Sequence, residues 1–194
     1  MVTEGESIMK ICNLSKKFNS KVIFDNQSFN FPDGKITYIM GESGCGKTTL
    51  LRIIAGLDKK FSGTVEPTDY KISYVFQEPR LFPNLTVADN ISIVSDNSPF
   101  TVEKVLSLVE LENEANSFPS TLSGGMKMRI ALARAIYNNG DIFIMDEPFS
   151  ALDDELKSRI LPKIFEALRN KTVIIVSHNP GEASMYADEI IKLS

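Results

Sequence analysis

The chain has 194 residues, 43% hydrophobic and 24% charged, with a formal net charge of -4. That length suits one domain, and a chain of this size buries roughly 70% of its unfolded surface, enough for a core without covalent staples. The mild acidity argues against a nucleic-acid partner, and two cysteines, Cys12 and Cys45, are too few for a disulfide framework and fit a reducing compartment. No run reaches the apolar length of a membrane span, about 18 residues. The opening Met1 to Lys10 carries two glutamates and no long apolar stretch, so no signal peptide is expected.

Taken in chain order, residues 8–31 hold short β-type pieces, Ile8–Cys12, Lys21–Phe24 and Gln27–Phe31, ending in the turn residues Pro32-Asp33-Gly34. They predict a small antiparallel layer. Four apolar runs follow: Ile36–Met40, Ile72–Phe76, Ile142–Met145 and Val173–Val176. Continuous rather than alternating apolar character predicts strands covered on both faces, as in a parallel sheet. Helical spacing lies between them, at Met126, Ile130, Ala133 and Tyr137 and at Leu156, Ile160, Ile164 and Leu168. Residues 78–122 are rich in loops and prolines, with Thr86 and Thr101 as expected helix caps. Pro162 falls inside the helix expected over 153–168, where it should kink or break it. The fold class is therefore α/β: a mainly parallel sheet, a small antiparallel β layer and a helical insertion. The expected division is a core of 1–77 and 141–194 with a helical subdomain at about 78–140, within one domain spanning 1–194.

Gly41-Glu42-Ser43-Gly44-Cys45-Gly46-Lys47-Thr48 fits the phosphate-loop pattern G-x4-G-K-[ST]. A buried strand is expected before it and a helix from Thr48 to Ala55 after it. Glycines let the backbone wrap phosphates with N–H groups pointing inward, and the helix start adds its positive end. Lys47 is expected at the β- and γ-phosphates of a nucleotide, Thr48 on Mg²⁺, and Thr49 beside them. Cys45 is expected to fill a small space within the loop. Asp146 ends a buried strand and suits a water-mediated Mg²⁺ ligand; Glu147 suits a general base that polarises the attacking water. These features alone leave a GTPase, a small-molecule kinase or another ATPase open. Asn170-Lys171-Thr172-Val173 lacks the aspartate of the guanine motif, which disfavours a GTPase.

Leu122-Ser123-Gly124-Gly125-Met126 resembles the signature of ATP-binding cassette proteins. In the order of that family, Gln77 is similar to the glutamine of the Q-loop and Ser150-Ala151-Leu152-Asp153 to the D-loop. His178 is similar to the switch histidine, and Phe18, 29 residues before Lys47, to the aromatic that stacks on adenine. The resemblance runs roughly from Lys10 to Leu193. It implies a P-loop NTPase core and an ATPase with ATP and Mg²⁺ bound. Gln77, Thr48 and Asp146 would then serve the metal, and Lys47, Gln77, Glu147 and His178 the chemistry. It further implies a homodimer, or a pair with another cassette subunit, in which Ser123, Gly124, Gly125 and Asp153 close the site of the partner. A membrane permease would dock on Gln77 through Pro83, so the chain would be cytoplasmic and peripheral at the inner face of the membrane. Leu81 and Phe82 are open to two readings, as part of that groove or as core of the insertion. Asn179 departs from the Asp more usual in the family. The string Phe76 through Pro83 and the signature ending in Met126 resemble importers of the nitrate, sulfonate and taurine type, though the chain is shorter and no C-terminal regulatory domain is expected. A soluble mechanical ATPase of the same superfamily is the alternative; such relatives carry two cassettes or long insertions, whereas 75 residues separate Lys47 from Leu122.

Overall fold

The computed structural model describes residues 7–194; most of the stretch Met1 to Lys10, where no signal peptide is expected, lies outside them. Five parallel strands form the central sheet. They are β3 (Ile36–Gly41), β5 (Ile72–Val75), β6 (Ile142–Asp146), β7 (Thr172–Val176) and β8 (Glu189–Leu193), in the order β5-β6-β7-β3-β8. A second sheet of β1 (Ser7–Phe18), β2 (Lys21–Pro32) and β4 (Ser62–Glu66) is antiparallel, with β1 in the middle. The helices are α1 (Lys47–Ile54), α2 (Val87–Ser92), α3 (Val102–Leu108), α4 (Gly124–Asn138), α5 (Asp154–Ala167) and α6 (Pro180–Tyr186).

The side-chain period of two explains the two cores. Phe143, Met145, Val173 and Ile175 face one way, onto apolar residues of α2 to α5. Ile142, Ile144, Ile174 and Val176 face the other way, onto Leu50, Leu51, Ile53 and Ile54 of α1 and onto Met9, Ile11, Leu14, Phe24 and Phe31 of the antiparallel sheet. Both faces of β6 and β7 are buried along their whole length, so their sequences show no polar alternation.

Several expectations need correction. The β pieces before Pro32 are two twelve-residue strands, β1 and β2, joined by the two-residue turn Asn19-Ser20. Their register shifts repeatedly, and Asn19 takes φ 52°, the left-handed conformation such a turn requires. The strands β4 and β8 were not expected: both are largely exposed edge strands and lack an apolar run. Of the kink or break expected at Pro162, the break does not occur: α5 continues from Asp154 to Ala167, and the proline is on the exposed face, where the carbonyl it leaves unpaired one turn back can take water. The helix after the signature begins at Gly124, earlier than Met126, because Ser123 caps it by accepting from the Met126 N–H at 3.2 Å. The helix α1 starts at Lys47 and closes at Ile54, with Ala55 as its cap. Thr86 and Thr101 cap α2 and α3 as expected.

Candidate active site

All five parallel strands point their C-terminal ends to one edge, and the loops that carry the motifs leave from it. This is where ligands bind in open α/β sheets. Between β3 and α1 the chain wraps as a loop, and Gly46 sits at φ 107°. A Cβ there would come within 2.6 Å of Ile23 and 2.8 Å of Phe24, so only glycine allows the antiparallel sheet to press this close. Lys47 is buried, and its Nζ donates to the carbonyls of Gly41 at 2.8 Å and Glu42 at 2.9 Å. The lysine thus spans its own loop. Cys45 is half-buried and packs against the core.

Beside the loop, Phe18, Lys21, Ile23, Gly44, Gly46, Lys47, Thr48 and Thr49 line an open cleft of about 340 Å³. A larger cavity of about 710 Å³ lies between β4 and the end of α1, away from the motifs. Phe18 stands at the tip of the β1–β2 hairpin, 50% exposed. Lys21 pairs across the turn with Phe18, and its Nζ reaches the Gly44 carbonyl at 3.4 Å. Sequence reading missed Lys21 and Ile23; only their place in the hairpin brings them to the loop.

Asp146 ends β6 and is 3% exposed. Burial raises its pKa, opposed by the Thr48 hydroxyl bond and by the charges of Arg52 and Lys47. Among the described residues its Oδ1 has no hydrogen-bond partner. Glu147 follows with φ 52°, a left-handed conformation that is strained for a glutamate and concentrates at functional sites. Its N–H is held by the Val176 carbonyl at 2.9 Å. Burial raises the Glu147 pKa, and the charge and backbone N–H of His178 oppose the shift. His178 Nε2 lies 3.2 Å from Glu147 Oε1. The pair does not form a hydrogen bond, and among the described residues Oε1 is also left without a hydrogen-bond partner. His178 is 51% exposed against 13% for Glu147.

The loop holding His178 is fixed by a buried polar network. Glu182 accepts from Lys157 at 2.8 Å, from the Ser177 hydroxyl at 3.1 Å and from the Asn179 side chain at 3.1 Å. Asn179 also caps α6, accepting from the N–H groups of Gly181 and Glu182. An aspartate at 179 could cap equally well, but its second oxygen would face Glu182 without a proton to offer.

The remaining motif residues sit elsewhere. Gln77 is exposed just beyond β5. Behind it Arg80 lies 4.0 Å over the Phe76 ring, and Phe82 is 51% exposed; Leu81 packs against the core. Leu81 therefore fits the core reading, whereas Phe82 does not. Ser123, Gly124, Gly125 and Asp153 do not line the cleft at Lys47. The signature instead meets the D-loop: a Cβ on Gly125 would lie 3.1 Å from the Ala151 carbonyl, whereas one on Gly124 would meet nothing within 4 Å. Asp153 caps α5, accepting from the Leu156 N–H at 2.8 Å.

A loop built for phosphates, a paired acid and glutamate on the adjoining strand and a histidine across from them define a nucleotide-hydrolysing domain. Residues 24–150 match the sequence pattern of the ABC transporter family, and the chain belongs to that family as an ATP-binding and ATP-hydrolysing subunit. It is 38% identical, over 96% of its length and 80% of the relative, to the aliphatic sulfonates import ATP-binding protein SsuB 1 of Pseudomonas syringae pv. syringae. It is 36% identical to the Fe(3+) ions import ATP-binding protein FbpC 2 of Haemophilus influenzae, covering 94% of this chain and 58% of that one. Among solved structures, the dimeric post-hydrolysis state of the ATP-binding cassette MJ0796 bound to ADP and Pi is similar. The TM-score is 0.83 and the identity 32%, over 96% of this chain and 94% of that one. Relatives that are import subunits favour transport over a soluble mechanical role. Among the described residues no helix is long and apolar enough to cross a membrane.

Proposed function

We propose that this chain powers import of a small solute through a separate permease, with two cassettes closing on ATP and separating after hydrolysis. The reading rests above all on Glu147: a glutamate held at φ 52°, with a buried oxygen that has no hydrogen-bond partner, directly after the acid that ends β6. In this reading Lys47 leaves the carbonyls of Gly41 and Glu42 for the terminal phosphates, while Gly41, Glu42, Ser43, Gly44, Cys45 and Gly46 offer backbone to the phosphates. Phe18 stacks on adenine, and Glu147 orients the lytic water with His178 as its neighbour. Gln77 senses the site and passes its state to the permease groove around Arg80 and Phe82.

The donors fit a magnesium ion. Among the described residues Asp146 Oδ1 is buried without a hydrogen-bond partner, Thr48 stands in the first turn of α1 close enough to favour the charged form of the same carboxyl, and Gln77 leaves the same sheet edge. A magnesium ion takes few protein ligands beside substrate phosphates. Such an ion would neutralise charge that develops on the phosphates. Residues 1–77 and 141–194 act as the nucleotide core and 78–140 as a helical subdomain carrying Ser123, Gly124 and Gly125 to the partner, where Asp153 lies beside them. The chain would work at the cytoplasmic face of the membrane.

Turnover by the purified chain tests the enzymatic half. Glu147→Gln should lower ATP hydrolysis by at least about 100-fold, the usual range for a lost general base. Turnover equal to the parent chain would remove Glu147 from the mechanism.

A further inference from the structure

We infer that Lys16 is a positioning residue of the nucleotide-base platform, acting through Phe18; the inference rests on the reading of Phe18 as the ring that stacks on adenine. Lys16 and Phe18 are two residues apart on β1, so their side chains leave the same face of the strand. Lys16 is only 4% exposed. Its ammonium contacts Asp58 Oδ2 at 2.6 Å, the Lys60 carbonyl at 2.7 Å and the Phe18 ring, whose centroid is 4.7 Å away. A carboxylate, a carbonyl and a π face together engage the directions an ammonium offers.

The geometry gives this cluster a job beyond holding the fold. Phe18 projects from the tip of a two-residue hairpin with half its surface exposed, where a phenylalanine would otherwise be free to change rotamer. Lys16 does not line the nucleotide cleft; it lines a separate hollow with Lys60, Phe61 and Ser62. The cation therefore acts on the ring from outside the cleft. It draws π density toward itself, and the ring then stacks more favourably with an electron-rich purine. Asp58 fixes the other end. It belongs to the loop after α1, where the N–H groups of Leu57 and Asp58 return to the Arg52 carbonyl. The start of α1 carries Lys47 and Thr48. Lys16–Asp58 thus ties the ring that reads the base to the far end of the helix that begins at the phosphate loop. Base and phosphate subsites are held in register by a contact that no part of the nucleotide touches.

Calorimetric titration of the full chain with ADP and with pyrophosphate, which has no base, tests this. Lys16→Met should weaken ADP binding about three- to tenfold, the span of a partly desolvated cation–π contact, and leave pyrophosphate within about twofold. Lys16→Arg should restore most of the ADP affinity. In a Phe18→Leu background, Lys16→Met should change ADP affinity by less than about twofold, since the ring it acts through is gone. If Lys16→Met does not fold, the pair Lys16→Gln with Asp58→Asn removes both charges together and should show the same base-dependent loss. Unchanged ADP affinity in either folded variant, an equal loss for pyrophosphate, or an undiminished loss without Phe18 would overturn the inference. A parent chain that binds neither ligand would instead overturn the nucleotide site itself, and Phe18→Leu with full ADP affinity would overturn the stacking platform.

Discussion

Asp146 carries a standing electrostatic penalty in the nucleotide-free chain. Its carboxyl is buried, one oxygen has no hydrogen-bond partner, and burial raises its pKa above the ordinary 3.8. The folded chain therefore binds that proton more tightly than the unfolded chain does. Stability falls as pH rises from about 3.8 through the higher folded value. Asp146→Asn should accordingly raise the Tm of the nucleotide-free protein at pH 7, with a smaller gain near pH 4. Calorimetric melts of both proteins at the two pH values check this; a lower Tm for the variant at pH 7 contradicts it. A site destabilised when empty and relieved by its ligand is what a nucleotide switch requires. The motif letters made Asp146 and Glu147 visible in the sequence. The left-handed backbone of Glu147 was not, because nothing in Met-Asp-Glu-Pro forces it; the Val176 carbonyl, brought in by sheet pairing, holds it there.

Among the elements, α5 offers the sharpest local test. Pro162 interrupts its hydrogen-bond ladder, yet the helix continues because Ile160, Leu161 and Ile164 anchor one face in the core. Propensity lost to tertiary packing. Pro162→Ala should therefore stabilise the chain by about 1–3 kcal/mol, the range for relief of proline in an exposed helix interior. Urea unfolding would show a higher midpoint with an unchanged slope; a lower midpoint would mean that the helix needs the proline. The elements divide in legibility by burial. β6 and β7 were plain from sequence because burial on both faces leaves uninterrupted apolar runs. β4 and β8 were hidden because edge strands owe their place to backbone pairing rather than to side chains. The Lys16–Asp58 and Lys157–Glu182 pairs were equally hidden, since their partners stand 42 and 25 residues apart and no local pattern links them.

For the whole molecule, the motifs fall into two groups that the single chain does not unite. The phosphate loop, Asp146, Glu147 and His178 gather at one edge of the sheet. Ser123 and Gly124 open α4 elsewhere, with nothing within 4 Å of where a Gly124 Cβ would stand. Met126 N–H is capped by Ser123 at the start of this fifteen-residue helix; in the proposed dimer the earlier N–H groups would face a phosphate. In the proposed dimer a second copy would bring that phosphate. The similar cassette MJ0796 has been solved as a dimer. The most direct measurement is the mass in solution of the Glu147→Gln chain, by light scattering coupled to gel filtration, with and without ATP and magnesium. Closure on ATP predicts a dimer of about twice the 21.6 kDa chain mass with nucleotide and a monomer without it. A chain that binds ATP and stays monomeric at every concentration would contradict the account.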